Sequence, residues 1–243
     1  MRALIVADTH SNLEALQAVL EDAQTRGGFD QVWCLGDLVG YGPDPVACIE
    51  LLRSHHLVCI AGNHDRAAVG ELSLEEFNSY AAHAARWTGA QLGPEEVKFL
   101  SGLPHVERYG DFTLVHGSLR DPVWEYLTSQ DAALDTFGRM ESPYCLVGHS
   151  HIPFLCTEDG VVAAFGALPE DQPLALDLQR LIINPGSVGQ PRDGDPRPSY
   201  ALYDDGDATI SRHRVLYDIS VTQEKMRQAQ LPDYLIQRLD QGR

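Results

Sequence analysis

The chain has 243 residues, 44% hydrophobic and 22% charged, an ordinary globular composition that excludes disordered and low-complexity architectures. Asp and Glu number 35 against 18 Lys and Arg, a formal net charge of −17 that repels nucleic-acid polymers and anionic membranes. No stretch approaches the roughly 20 apolar residues of a membrane span. Ala3-Leu4-Ile5-Val6-Ala7 reads as a buried strand, followed by a helix that Asn12 caps and Gly27-Gly28 stops. Val32–Leu35 is a second buried strand, Val46, Ile49, Leu51 and Leu52 carry helical spacing, and a third strand spans about Leu57–Ala61. Residues 71–103 read as helices, with Leu74, Phe77, Ala81, Ala85 and Trp87 on one face and Pro94 opening another.

From Val106 onward strands dominate: Phe112–His116, Tyr144–Val147, Phe154–Cys156, Val161–Phe165, Leu181–Ile183 and Ser199–Tyr203. Thr209–Val215 alternates and reads as a half-buried edge strand, and the tail from about Val221 is helical with Gln and Arg on its exposed face. Strands alternating with helices predict an α/β fold. With no repeat or linker, residues 1–243 are expected to form one domain, and Pro185–Pro198 a functional loop. Cys34, Cys48, Cys59, Cys145 and Cys156 are odd in number, widely spaced and without a CxxC, which indicates neither a disulfide framework nor a thiolate zinc site. The first apolar run is too short for a signal peptide, so the cytoplasm is the expected compartment.

The informative pattern lies in the residues immediately after each buried strand. Asp8 and His10 stand after the first, Gly36 and Asp37 after the second, and Gly62, Asn63, His64 and Asp65 after the third. His116 and Gly117 come after the Phe112 strand; Gly148, His149, Ser150 and His151 come after Tyr144–Val147. Asp, Asn and Gly favour turns, but histidine does not, and half of the chain's ten histidines fall here. The C-terminal ends of strands are where α/β sheets place ligands. His55, His56, His83, His105 and His213 lack this context and read as surface or core residues. Asp8, His10, Asp37, Asn63, His116, His149 and His151 offer only nitrogen and oxygen donors, which suits Mn²⁺, Fe, Co²⁺, Ni²⁺ or Zn²⁺ rather than a structural zinc or Mg²⁺ or Ca²⁺ alone. They are too many for one tetrahedral ion and fit two ions sharing a carboxylate.

In order and content these motifs resemble the calcineurin-like metallophosphoesterase superfamily: D-x-H at Asp8-Thr9-His10, GD at Gly36-Asp37, GNH(D/E) at Gly62–Asp65, a lone His116, and GH-x-H at Gly148–His151. The resemblance spans roughly the first 150 residues. It implies a four-layer αββα sandwich of two mixed β-sheets flanked by helices. It also implies a first metal held by Asp8, His10 and His151, a second by Asn63, His116 and His149, and Asp37 bridging. Two such ions would clamp phosphoryl oxygens and acidify a bound water for in-line attack, with Mn²⁺ the expected metal. His64, next to Asn63 but outside the ligand set, is the natural general acid. Asp65 either orients it or ties down the turn.

The protein Ser/Thr phosphatases and bis(5′-nucleosyl)-tetraphosphatases of the superfamily carry an arginine soon after GD. Here the segment reads Gly36-Asp37-Leu38-Val39-Gly40-Tyr41-Gly42-Pro43 with none, and it resembles instead the small bacterial and archaeal phosphodiesterases, as does Asn184–Arg192. Arg192 is a candidate substitute phosphate contact and Tyr41 a candidate stacking surface for a base or aryl leaving group. Gly40-Tyr41-Gly42 is no dinucleotide fingerprint, since the pattern fails at Pro45, and no GxSxG elbow is present. The expected activity is hydrolysis of small-molecule phosphodiesters, with nucleotides as candidates. The alternatives are a phosphomonoesterase or protein phosphatase, a diadenosine tetraphosphatase, and a non-catalytic protein-binding scaffold, which would not need His64 or the full ligand set. The helical insert and acidic surface leave room for a homodimer.

Overall fold

The computed structural model describes residues 1–177 and 179–243. In chain order the elements are β1 (Arg2–Val6), α1 (Leu13–Thr25), β2 (Gln31–Cys34), α2 (Pro45–Arg53), β3 (Leu57–Cys59) and α3 (Asn63–Ala68). There follow α4 (Ser79–Gln91), α5 (Pro94–Ser101), β4 (Val106–Tyr109), β5 (Phe112–Val115), α6 (Gln130–Arg139) and β6 (Tyr144–Leu146). The remainder is β7 (Phe154–Glu158), β8 (Ala163–Gly166), β9 (Pro173–Ala175), β10 (Leu181–Asn184), β11 (Ser199–Asp204), β12 (Thr209–Arg214), α7 (Ile219–Gln228) and α8 (Asp233–Gln237). The strands form two six-stranded mixed sheets, ordered β3-β2-β1-β11-β12-β9 and β4-β5-β6-β10-β7-β8.

Alternating residues of each strand supply different layers. Leu4 and Val6 face α1 and α2 and join Leu16, Val19, Ile49 and Leu52, whereas Ala3 and Ile5 face the second sheet with Trp33, Phe112, Leu114 and Leu146. On the outer face of the second sheet, Val115, Cys145 and Ile182 pack on Ala133 and Phe137 of α6. The result is the αββα sandwich expected from the motifs. A fourth cluster joins Ala81 and Ala84 of α4 to Met226, Leu235 and Ile236 of the C-terminal helices, with Tyr41 buried among them.

The central elements lie close to where the apolar runs predict them, and the Asn12 side chain caps α1 by accepting from the Ala15 N–H at 3.2 Å. Three expectations need correction. Gln130–Arg139 is a helix, capped by Ser129 and burying Ala132, Ala133, Thr136 and Phe137, in a stretch to which the sequence assigns no element and where strands are expected to dominate. β12 is an interior strand, hydrogen-bonded to β11 on one side and β9 on the other; alternation reports a strand's two faces and not its place in the sheet. The edge belongs to β9, which opens with Pro173 at a position the interior would not tolerate. In the tail, Arg238 is half-buried rather than solvent-facing. No helix among the described residues is long and apolar enough to cross a membrane.

Trp33 is fully buried between the sheets, its ring centroid 5.1 Å from Phe112 and 5.6 Å from Tyr203, and its indole N–H has no partner among the described residues. Trp33→Ala is expected to cost about 3–5 kcal/mol, read as a lower urea midpoint at unchanged slope. Trp33→Phe, which keeps an aromatic ring and removes the unpaired donor, should cost markedly less.

Candidate metal centre

The loops after β1, β2 and β3 of one sheet and after β5 and β6 of the other converge at one end of the sandwich. Backbone bonds continue the β1–β2 alignment beyond the strands: the N–H groups of Asp8, His10 and Ser11 donate to the carbonyls of Gly36, Asp37 and Leu38 at 3.1, 2.9 and 3.0 Å. This part of the chain is strained. Of the ten non-glycine residues with positive φ among those described, seven lie here: Asp8, His10, Ser11, Asp37, Tyr41, His149 and His151. Left-handed backbone turns their side chains inward where extended backbone would carry them past, at a cost of order 1–3 kcal/mol each.

Asp37 is central. Its Oδ1 accepts the His64 N–H at 2.8 Å, and its Oδ2 lies 3.3 Å from His116 Nε2 and 3.6 Å from His10 Nε2. A Cβ at position 62 would lie 2.1 Å from Asp37 Oδ1, so only glycine lets the start of α3 approach this closely. Asp8 completes the other side, with Oδ1 3.6 Å from His151 Nε2 and accepting the His149 N–H at 3.0 Å. The imidazoles are oriented by carbonyls: Nδ1 of His10, His116 and His151 bonds the oxygens of Val39, Leu35 and Gln190 at 3.1, 2.8 and 2.6 Å, leaving each Nε2 to face the centre. His149 is held the other way, by Nε2 on the Trp124 carbonyl at 3.0 Å.

Two groups of ligand atoms result, each with its members within 4.8 Å of one another: Asp8, His10, Asp37 and His151, and Asp37, His116 and His149. Asp37 belongs to both. Asn63 is 3% exposed beside them, and its Oδ1, with Asp8 Oδ2 and His116 Nε2, is buried without a hydrogen-bond partner among the described residues. Nε2 of His10 faces Nε2 of His151 at 3.1 Å. Orphaned acceptors and converging imidazoles are costly alone and are satisfied by cations, so these residues fit a pair of divalent ions. Without cations, burial lifts Asp8 to about 7 and lowers His149 to about 3. Burial also opposes charge on His116, but the Asp37 carboxylate overrides it and raises that ring to about 9.

A cavity of about 230 Å³ opens over the centre, lined by Asp37, Asn63, His64, His149 and His151 as well as Tyr41 and Arg192. His64 is a ring in the first turn of α3, not in a free loop, packed on Tyr41 (4.3 Å between centroids) and Phe77 (5.0 Å). Burial lowers its pKa to about 4, against the pull of Asp37. Gly40, at φ +95°, leaves no room for a Cβ beside the His64 ring. Asp65 does not reach that ring: its oxygens accept the Val39 N–H at 3.0 Å and the Gly62 N–H at 2.9 Å, tying the second loop to α3. Arg192 lies 5.9 Å from the Tyr41 ring. Every candidate residue from the sequence is therefore at this end of the sandwich.

Other contributors are not among the sequence candidates: the Trp124 carbonyl, Tyr126 stacked on His149 (4.1 Å, 19°), and Phe77, read from the sequence only as part of an apolar face. The Asn184–Arg192 loop, which ends in Arg192 at the cavity, is also tied to the loops beneath it. Asn184 Nδ2 donates to the Gly148 carbonyl at 2.7 Å, and Ser187 Oγ to the Asp8 carbonyl at 3.0 Å.

Fold and site together define a metallophosphoesterase. Residues 1–207 match the family model of the calcineurin-like phosphoesterase superfamily domain, and the chain belongs to that superfamily. A crystallised metallophosphoesterase from Sphaerobacter thermophilus is 45% identical and superposes with a TM-score of 0.90, covering 100% of this chain and 99% of that one. An uncharacterised protein of Methanocaldococcus jannaschii is 41% identical over 98% of this chain and 97% of its own length. The symmetrical bis(5′-nucleosyl)-tetraphosphatase of Psychromonas ingrahamii is 40% identical over 67 residues, covering 27% of this chain and 24% of that enzyme.

Metal analysis of the protein loaded with Mn²⁺ should find two ions per chain, and loading should raise the melting temperature; a site at a hundredfold excess of free metal over its Kd adds about 2.7 kcal/mol. Asp37→Ala should hold one ion or none. Two ions retained in Asp37→Ala would rule out the shared carboxylate.

Proposed function

We propose that this chain, acting as one domain in the cytoplasm, is a dinuclear-metal phosphodiesterase of small-molecule substrates. The reading rests chiefly on one observation: the Asp37-centred cluster opens into a cavity that also presents His64 and Arg192. Asp8, His10, Asp37 and His151 would hold one ion, and Asp37, Asn63, His116 and His149 the other. The donor set supports Mn²⁺. When bound, the ions supply Lewis-acid charge for the phosphoryl oxygens and lower the pKa of a water poised for in-line attack.

The remaining roles fall to side chains of this protein. His64 protonates the leaving oxygen, from a ring held by Tyr41, Phe77 and the absence of a Cβ at Gly40. Asp65 is a positioning residue, since its bonds to the Val39 and Gly62 amides fix the approach of α3 to Asp37. Arg192 contributes a guanidinium to a phosphoryl oxygen, and its N–H bonds to Gln190 Oε1, at 2.9 and 3.3 Å, hold it at the cavity. Tyr41, buried and lodged between His10 and His64, acts as the wall that orients both rings. The absence of an arginine after Asp37 supports diesters over monoesters. The intact ligand set and His64 argue against a purely scaffolding role.

Turnover of bis(p-nitrophenyl) phosphate and p-nitrophenyl phosphate by metal-stripped protein, with and without Mn²⁺, tests the reading. Metal-dependent cleavage with the diester preferred is expected, and monoester preference would overturn it. His64→Ala should retain both ions and lose about 10²–10⁴-fold in turnover for substrates with poor leaving groups, with a much smaller loss for p-nitrophenolate, which leaves without a proton. An emptied site in His64→Ala would refute its assignment outside the ligand set.

A further inference from the structure

Beside the catalytic cavity lies a second one of about 430 Å³, sharing Tyr41, Asn78, Tyr126 and Arg192 with it and completed by Tyr80, Tyr234 and Arg238. Tyr126 stacks one face on His149 yet is 50% exposed, so its other face is left to this groove. Tyr80 and Tyr234 stack on each other at 4.8 Å and remain 45% and 53% exposed. Open aromatic faces at the mouth of a polar site are surfaces on which a planar ring stacks.

The groove also carries two arginines. Many arginines elsewhere in this acidic chain are paired: Arg197 bridges to Glu170 and Asp195, and Arg214 to Asp193. Among the described residues, no aspartate or glutamate bridges to Arg192 or Arg238. Arg192 bonds the Gln190 side chain, and Arg238 donates from Nε to the Arg243 carbonyl, which leaves the terminal N–H groups of its fork uncommitted. Burial, and then the nearby charge of Arg192, both press on the charged form of Arg238. A partly buried pair of like charges is relieved by an anion, and planar forks suit phosphoryl oxygens.

We propose that this groove is a second substrate subsite for a nucleoside monophosphate unit, with its base on Tyr126 and its phosphoryl group between Arg192 and Arg238. The inference rests on the phosphodiesterase reading and narrows it: the leaving group is a nucleotide that carries a phosphate of its own. Hydrolysis adds one water across the scissile P–O bond, with hydroxyl to phosphorus and a proton to the departing nucleotide oxygen. Linear dinucleotides with a terminal phosphate present such a leaving group through a phosphodiester, and dinucleoside polyphosphates through a phosphoanhydride.

Calorimetry on the full-length, metal-free protein tests the subsite without catalysis. Adenosine 5′-monophosphate should bind more tightly than adenosine or inorganic phosphate, and Arg238→Gln and Tyr126→Leu should each weaken it about tenfold. Tyr126→Leu keeps apolar bulk against His149, and retention of two metals on loading confirms that the centre is intact. In the Mn²⁺-loaded enzyme, the ratio of kcat/KM for 5′-phosphorylated diadenosine, or for diadenosine tetraphosphate, to that for bis(p-nitrophenyl) phosphate should fall about tenfold in Arg238→Gln. Which of the two nucleotides responds identifies the linkage. Equal binding of phosphate and the nucleotide, or an unchanged ratio and unchanged affinity in Arg238→Gln, overturns the subsite. Absence of all turnover alongside tight, Arg238-dependent nucleotide binding would instead overturn the phosphodiesterase reading and leave the groove standing.

Discussion

The burial of one carboxylate between two imidazoles and a backbone amide is the constraint on which the site end of this molecule depends. Asp37 is 1% exposed, and among the described residues no lysine or arginine bridges to it. Its charge is instead met by the His64 amide and the Nε2 edges of His10 and His116, which hold it well below the ordinary carboxylate range despite burial. An arrangement of this kind is tolerable only if every neighbour is fixed. The missing Cβ at Gly62, the Asp65 tie between the second loop and α3, and the carbonyls behind each imidazole are the means of fixing them. Each commits a backbone or buried polar group to orientation, and the hydrophobic layers beneath supply the stability that offsets the strain.

The sandwich and the site are linked through the same strands. Residues of β1 alternate between the helix-facing and sheet-facing cores, so the chain leaves the sheet at Asp8 with no freedom of register. Seven left-handed residues then bend the loops inward. The net negative charge of the chain raises no conflict with phosphate chemistry, because the cluster is built to gain cations and two arginines line the cavities above it.

Much of this was legible in the amino-acid order. Short apolar runs ending in Asp, His or Asn located the strands and every candidate ligand, because a buried parallel strand has a continuous apolar signature and its C-terminal end is where polar residues cannot be a packing choice. Most of the hidden parts depend on long-range geometry. α6 goes unread although Ala132, Ala133, Thr136 and Phe137 recur at helical spacing behind the Ser129 cap, because it lies between strand-like apolar runs on either side. β12 looked like an edge because hydropathy records faces and not neighbours. Trp124 works through a backbone carbonyl, which no side chain announces. Arg238 reaches the groove only because α7 and α8 fold back onto α4, a packing of apolar residues that one helix alone does not reveal.

The carbonyl of Gln190 behind His151 has a consequence for the order of assembly. His10 and His151 are separated by 141 positions, and the loop that aims the second of them lies 39 further on. Pairing of β1, β2 and β3 therefore brings Asp8, His10, Asp37 and Asn63 together without His116, His149 or His151. His151 is aimed at that group only with β10 paired to β6 and the following loop closed over Asp8. The donor set is therefore complete only once contacts between sequence-distant strands and loops have closed, the class that forms slowest.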